Sequence, residues 1–161
     1  MITLQTTVHV ADLRGQQIFD FFMRPDDATY RRWWPGTHLA FHELGHSAGD
    51  MGRRLLMDEF VGRRRVRLAA VVVEAEASRL IVWQLEKGVR LPVWVRFELV
   101  DDPQGVSVTH TILAGYVGRA AVFDNAMRLY FDEVFARDMD DHVRTEFPKL
   151  RPLLVALDAA C

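Results

Sequence analysis

The chain has 161 residues, half of them hydrophobic and 26% charged, with a formal net charge of −2. That balance describes one globular domain spanning residues 1–161 with enough apolar material for a core, and it excludes a general nucleic-acid or membrane-surface binder. The single cysteine, Cys161, has no partner for an internal disulfide, no basic-then-apolar leader follows Met1, and no apolar run reaches the ~18 residues of a membrane span; the expectation is a cytoplasmic protein with no integral membrane segment.

Residues 2 to 10 alternate, which places Ile2, Leu4, Thr6, Val8 and Val10 on one face of a first strand. After Asp12, the residues Ile18, Phe19, Phe21 and Phe22 predict a short amphipathic helix with an inward aromatic side. Pro25-Asp26-Asp27 opens a second short helix, with proline at a tolerated first-turn position and acids near the positive end. It ends near Trp34-Pro35-Gly36.

From residue 39 to near 115 the pattern is β, with strands expected near 39–44, 53–61, 64–75, 79–87, 92–101 and 105–114. Gly49, Gly52, Gly62, Gly88 and the run Asp101-Asp102-Pro103-Gln104-Gly105 divide them, and such short turns imply an antiparallel sheet. The basic run Arg63-Arg64-Arg65 reads as a solvated hairpin turn. Alternation gives Leu55, Met57, Glu59 and Val61 a common face, so Glu59 stands in an otherwise apolar row. Val106, Val108, His110 and Ile112 share a face in the same way. Residues 119 to 157 then read as helix, because Met127, Tyr130, Phe131, Val134, Phe135, Met139, Val143, Phe147, Leu150, Leu154 and Leu157 recur every three or four positions. Pro148 and Pro152 should kink or interrupt it.

His142 and Glu146 are one helical turn apart, so both leave the same face and can grip one ion. With His38 and Glu59 they would make two imidazoles and two carboxylates, a donor set suited to a divalent ion such as zinc. Nothing local brings His38 and Glu59 to the last helix, so competing readings stay open. The helical pair could be a surface interaction, Glu59 a hydrogen-bonded pocket residue, and His110 a packed residue or a contact for ligand polar groups. His38, His42 and His46 recur every four residues but lie among Pro35, Gly36 and Gly45, which favour loop and strand. Trp33, Trp34, Trp83 and Trp94 read as packing residues. No Gly-rich phosphate loop, Cys-x-x-Cys pair or Gly-x-Ser-x-Gly elbow is present.

The order of elements, together with Ile18-Phe19-Asp20-Phe21-Phe22, the Tyr30 to Pro35 run and His142-Val143-Arg144-Thr145-Glu146-Phe147, resembles the START/Bet v 1-like (SRPBCC, polyketide cyclase-like) superfamily over nearly the whole chain. The resemblance implies an α+β helix-grip fold, in which a curved antiparallel sheet wraps around a long C-terminal helix and encloses a cavity for a hydrophobic small molecule. Leu55, Met57, Val106, Val108, Ile112, Phe131, Phe135 and Met139 are expected to line that cavity. The ligand pattern is similar to zinc-dependent phloretin and diacetylphloroglucinol hydrolases, which cleave a carbon–carbon bond between an acyl group and a phenolic ring. That likeness implies His38, Glu59, His142 and Glu146 as zinc ligands, and it leaves His110 or Glu59 to move protons in a catalytic role. Two functions follow: a metal-dependent hydrolase or polyketide-processing enzyme acting on an aromatic or hydrophobic molecule, or a non-catalytic carrier or sensor of a lipid or other apolar ligand.

Overall fold

A computed structural model describes residues 1–45, 48–115 and 127–159. Seven strands form one antiparallel sheet: β1 (Ile2–Ala11), β2 (His38–Glu43), β3 (Arg54–Val61), β4 (Arg64–Glu76), β5 (Leu80–Lys87), β6 (Val89–Asp102) and β7 (Gly105–Ala114). Their order is β1-β7-β6-β5-β4-β3-β2, so β2 to β7 form a meander of neighbours and the first strand closes onto the last. β1 and β7 pair without a break from Ile2 opposite Ala114 to Ala11 opposite Gly105. Register shifts between His38 and Ala40, between Val72 and Glu74 and between Gln84 and Glu86 interrupt three other ladders, and such bulges bend a sheet. The sheet is accordingly curled around the long last helix, as the sequence predicts.

Two short helices, α1 (Gly15–Met23) and α2 (Asp27–Trp33), connect the opposite edges β1 and β2. The α1 start is not capped by Asp12, which sits in a left-handed turn; the amide of Gly15 instead donates to Asp101 Oδ1 at 2.7 Å. Asp26 caps α2 by accepting from the Thr29 amide at 2.7 Å, so Pro25 lies just outside the helix and not in its first turn. Asp27 accepts from the Phe41 amide at 2.7 Å and lies 2.9 Å from His42 Nδ1, which pins α2 to β2.

The last helix, α3 (Glu133–Asp158), is shorter than the sequence pattern suggests. Residues 119–126 of the expected helix lie outside the described residues. Residues 127–130 make a helical turn, the chain breaks at Phe131-Asp132, and Asp132 then restarts it by accepting from the Phe135 amide at 2.7 Å. Pro148 and Pro152 do not interrupt α3, which is continuous through both. The buried face of α3, including Phe135, Met139, Val143, Phe147, Leu150 and Leu154, packs toward β1, β3 and α2. Between helix and sheet an aromatic cluster forms, with Phe22 stacked on Phe97 at 4.7 Å and Phe147 near both Trp33 and Phe97. Burying such rings against one another supplies apolar burial and edge-to-face attraction together.

Candidate metal centre

The turn after α2 delivers the first candidate ligand. The amides of Thr37 and His38 both donate to the Trp34 carbonyl, at 3.1 and 2.9 Å, and Gly36 adopts a positive φ of 81° that this tight reversal requires. His38 therefore begins β2 directly opposite Glu59 on β3. Alternation along β3 turns Glu59 to the inward face with Met57 and Val61. From the other side α3 presents His142 and Glu146 one turn apart.

All four side chains are buried, and each contributes one donor atom to a group whose members lie within 4.8 Å of one another. His38 Nε2 is 3.3 Å from Glu146 Oε2 and 3.6 Å from Glu59 Oε2. His142 Nε2 is 3.2 Å from Glu146 Oε2 and 3.8 Å from Glu59 Oε2. A tetrahedral shell with bonds of about 2.1 Å has donor–donor edges of about 3.4 Å, so these four separations fit the edges of one coordination polyhedron. Both Nε2 atoms lack a hydrogen-bond partner among the described residues. Unpaired buried nitrogens facing two carboxylates are costly unless a cation or proton joins them, so the donor set fits a metal ion.

The surroundings fix the donors in place. Tyr30 donates its hydroxyl to Glu59 Oε2, and its ring stacks on His38 at 4.2 Å with an interplanar angle of 9°. Trp34 stacks on His142 at 5.0 Å, and Trp33 Nε1 donates to the Glu146 carbonyl at 2.7 Å, tying α2 to α3 beside the ligands. Burial pushes the His142 imidazole down, but the close approach and charge of the Glu146 and Glu59 carboxylates outweigh it and raise its pKa to about 10. Burial works against ionisation of Glu146 as well, yet His142 and His38 hold its carboxyl down to about 2. Burial, then the neighbouring Glu59 charge, pushes the Tyr30 hydroxyl well above the ordinary range. Without an ion, the cluster is a proton-sharing set in which a cation would take the place of the His142 proton.

The cluster borders a cavity of about 50 Å³ walled by Tyr30, Met57, Val95, Phe97, Ile112, Phe131, Phe135 and Met139, with Glu59, His142, Glu146 and His110 as polar members. His110, across the sheet on β7, is buried, and burial lowers its pKa to about 4, so it is neutral near pH 7. An outer groove of about 690 Å³ shares Leu68, Leu85, Val93, Tyr130 and Phe131 with the cavity.

No family model and no curated protein sequence matches the chain. Solved structures do. A crystal structure of a Thermus thermophilus protein aligns over 97% of this chain and 99% of its own, with a TM-score of 0.67 at 9% identity. Major latex-like protein 151 of Panax ginseng aligns over 91% of this chain and 98% of its own, with a TM-score of 0.57 at 11% identity. The fold is Bet v 1-like. A third structure, protein NE0264 of Nitrosomonas europaea, covers 98% of this chain and 97% of its own at a TM-score of 0.59 and 11% identity. At these identities the likeness carries the Bet v 1-like fold and none of the chemistry.

Within this Bet v 1-like frame, several residues sit elsewhere than the sequence suggests. Met57, Ile112, Phe131, Phe135 and Met139 line the cavity, whereas Leu55, Val106 and Val108 lie outside its lining. These three share the inward face but are packed solid, because the aromatic cluster fills most of the concavity. His42 pairs with Asp27 at the surface and does not join His38; His46 lies outside the described residues. Only Arg63 of the basic run occupies the hairpin turn, since Arg64 binds Asp132 at 2.7 Å and Arg65 grips Asp58 at 2.7 and 2.8 Å. Tyr30 is the site residue that sequence reading misses. Its one signal is a hydroxyl on the Tyr30/Trp33 face of α2, where three-residue spacing otherwise marks an apolar side.

Proposed function

We propose that this protein is a cytoplasmic, zinc-binding member of the START/Bet v 1-like superfamily that binds a hydrophobic or aromatic small molecule and transforms it as a metal-dependent hydrolase or polyketide-processing enzyme. One observation carries the reading: two buried imidazole nitrogens without partners face two buried carboxylates on the wall of an otherwise apolar cavity. His38, Glu59, His142 and Glu146 would hold the ion, which when bound would supply Lewis acidity toward a ligand carbonyl or water. Tyr30 keeps Glu59 oriented through its hydroxyl. His110, neutral and facing the cavity, is the group suited to accept or return a proton at its imidazole. The small inner cavity accepts a compact group such as an acyl carbonyl, and the adjoining groove holds the apolar body of the ligand.

A second reading has its own support. Four protein donors would leave a four-coordinate ion no open position, as at structural sites, and this favours a non-catalytic carrier or sensor of an apolar ligand. Elemental analysis of protein purified without a metal-affinity column tests the common premise: about one zinc per chain is expected, and a metal-free preparation that takes up none from buffer would end both metal readings. Hydrolysis of acylated phenols by the zinc-loaded protein, lost in His110→Ala, then separates enzyme from carrier.

A further inference from the structure

The outer groove lies where the sheet parts. β4 pairs with β3 all the way to their turn, Arg64 opposite Val61, but its ladder to β5 begins only at Ala69 opposite Glu86. Beside the open stretch of residues 64–68 the β5–β6 hairpin has already turned, with Lys87 opposite Val89. Residues from both faces of the sheet, Leu68 and Leu85 from the inner and Arg67 and Glu86 from the outer, therefore reach one groove of about 690 Å³.

The groove differs in chemistry along its length. Next to the cavity its wall is Leu68, Leu85, Val93, Tyr130 and Phe131. Away from the cavity, at the outer lip, Arg54, Arg67 and Lys87 stand against one acid, Glu86. Arg54 takes up that acid with two hydrogen bonds, at 2.9 and 3.2 Å. Arg67, with 64% of its side chain exposed, has only a 3.9 Å approach to Asp58, a carboxylate that Arg65 already grips at 2.7 and 2.8 Å. Lys87 has no hydrogen bond or ion pair to a described residue. Arg90, opposite Glu86, adds positive charge at the same end, so the lip is cationic on a chain whose net charge is −2.

We propose that this groove takes an amphiphilic anion, its carboxylate or phosphate held at the lip by Arg67 and Lys87 and its apolar body running inward to Tyr130 and Phe131. The inference rests on the groove being the seat of the organic ligand, and it adds the polarity and direction of that ligand. A wholly apolar guest would strip water from these cations and return nothing for it. An anionic head replaces that water with charge-assisted hydrogen bonds, which a guanidinium can offer in pairs. The reverse orientation would draw the charge along an apolar wall toward the carboxylates of Glu59 and Glu146, at the cost of its hydration.

Displacement of a neutral naphthylamine probe from the full chain by decanoate, decyl phosphate, decanol and decyltrimethylammonium, at neutral pH and below micelle-forming concentrations, varies the head on a constant apolar body. At low ionic strength the tighter of the two anions should bind about threefold to tenfold better than decanol, the advantage should shrink at high salt, and the cation should bind worst. Arg67→Gln/Lys87→Gln should erase the advantage and leave decanol affinity at the parent value, which also shows an intact groove. Equal affinity for both anions and the alcohol in the parent would overturn the anionic assignment and leave the groove standing as an apolar site. An advantage that survives the double substitution would overturn the placement of the head at the lip. A parent that binds neither the probe nor any of the four would remove the groove as a ligand seat and this inference with it.

Discussion

His142 stands where the proposed ion, a shared proton and the last helix would meet, so its loss separates the contributions. His142→Ala should lower zinc content from stoichiometric to a small fraction and lower the melting temperature. With free zinc at a hundredfold its dissociation constant the ion contributes about 2.7 kcal/mol, and this is the part that chelation should remove from the parent and not from the variant. Tyr30→Phe tests a different bond: it deletes the buried donor to Glu59 and keeps the ring stacked on His38. Leaving that acceptor short should cost about 1–3 kcal/mol in urea unfolding of the stripped protein. His110 makes a pH prediction. Its folded pKa is near 4 against an ordinary value of 6.5, so the unfolded chain binds the proton more readily between those limits. Its contribution is complete above pH 6.5 and is lost as pH falls toward 4, at up to ~1.4 kcal/mol per pH unit. Glu146 titrates below its ordinary value of 4.5 and His142 above 6.5, so both contribute least in the middle of that window, near pH 5.5. Stability of the stripped parent should therefore fall across that window, and His110→Leu should flatten the curve; a parent curve already flat would contradict a buried neutral imidazole.

At the scale of elements, the strands were legible because alternation and glycine turns coincide: β3, β4, β5 and β7 start and stop within a residue or so of the expected positions. The His142/Glu146 pair was legible for the same kind of reason, since helical spacing is local. The start of α3 was not. Met127, Tyr130, Phe131 and Phe135 keep helical periodicity across Asp132, and periodicity hides a cap that restarts the helix in the middle of the pattern. Asp132→Ala should accordingly cost about 1 kcal/mol in thermal or urea unfolding, and more if the Arg64 contact goes with it. The opposition of His38 and Glu59 was equally hidden, because it depends on a register set across the long β2–β3 connection and a shift between His38 and Ala40. Tyr30 was overlooked because a tyrosine on an apolar helix face is ordinarily read as a ring; its hydroxyl has meaning only once Glu59 is placed beside it.

Across the whole molecule, the inward face of a strand does not by itself make a cavity wall. Leu55, Val106 and Val108 point inward and are packed, because Phe22, Trp83, Phe97 and Phe147 occupy the space that an open grip would leave. The four candidate ligands divide evenly, His38 and Glu59 from the sheet and His142 and Glu146 from α3. An ion shared between those halves would tie the helix to strands more than eighty residues earlier in the chain. With an ion bound, the helix could not lift from the sheet without surrendering it, so the partial opening that ordinarily lets a terminal helix exchange its amides ahead of the core would be suppressed. In hydrogen–deuterium exchange the amides of residues 139–150 should be as slow as those of β3 in the zinc-loaded protein and become distinctly faster than β3 once zinc is stripped. A single bound atom would thereby set whether the molecule breathes as one unit or as two.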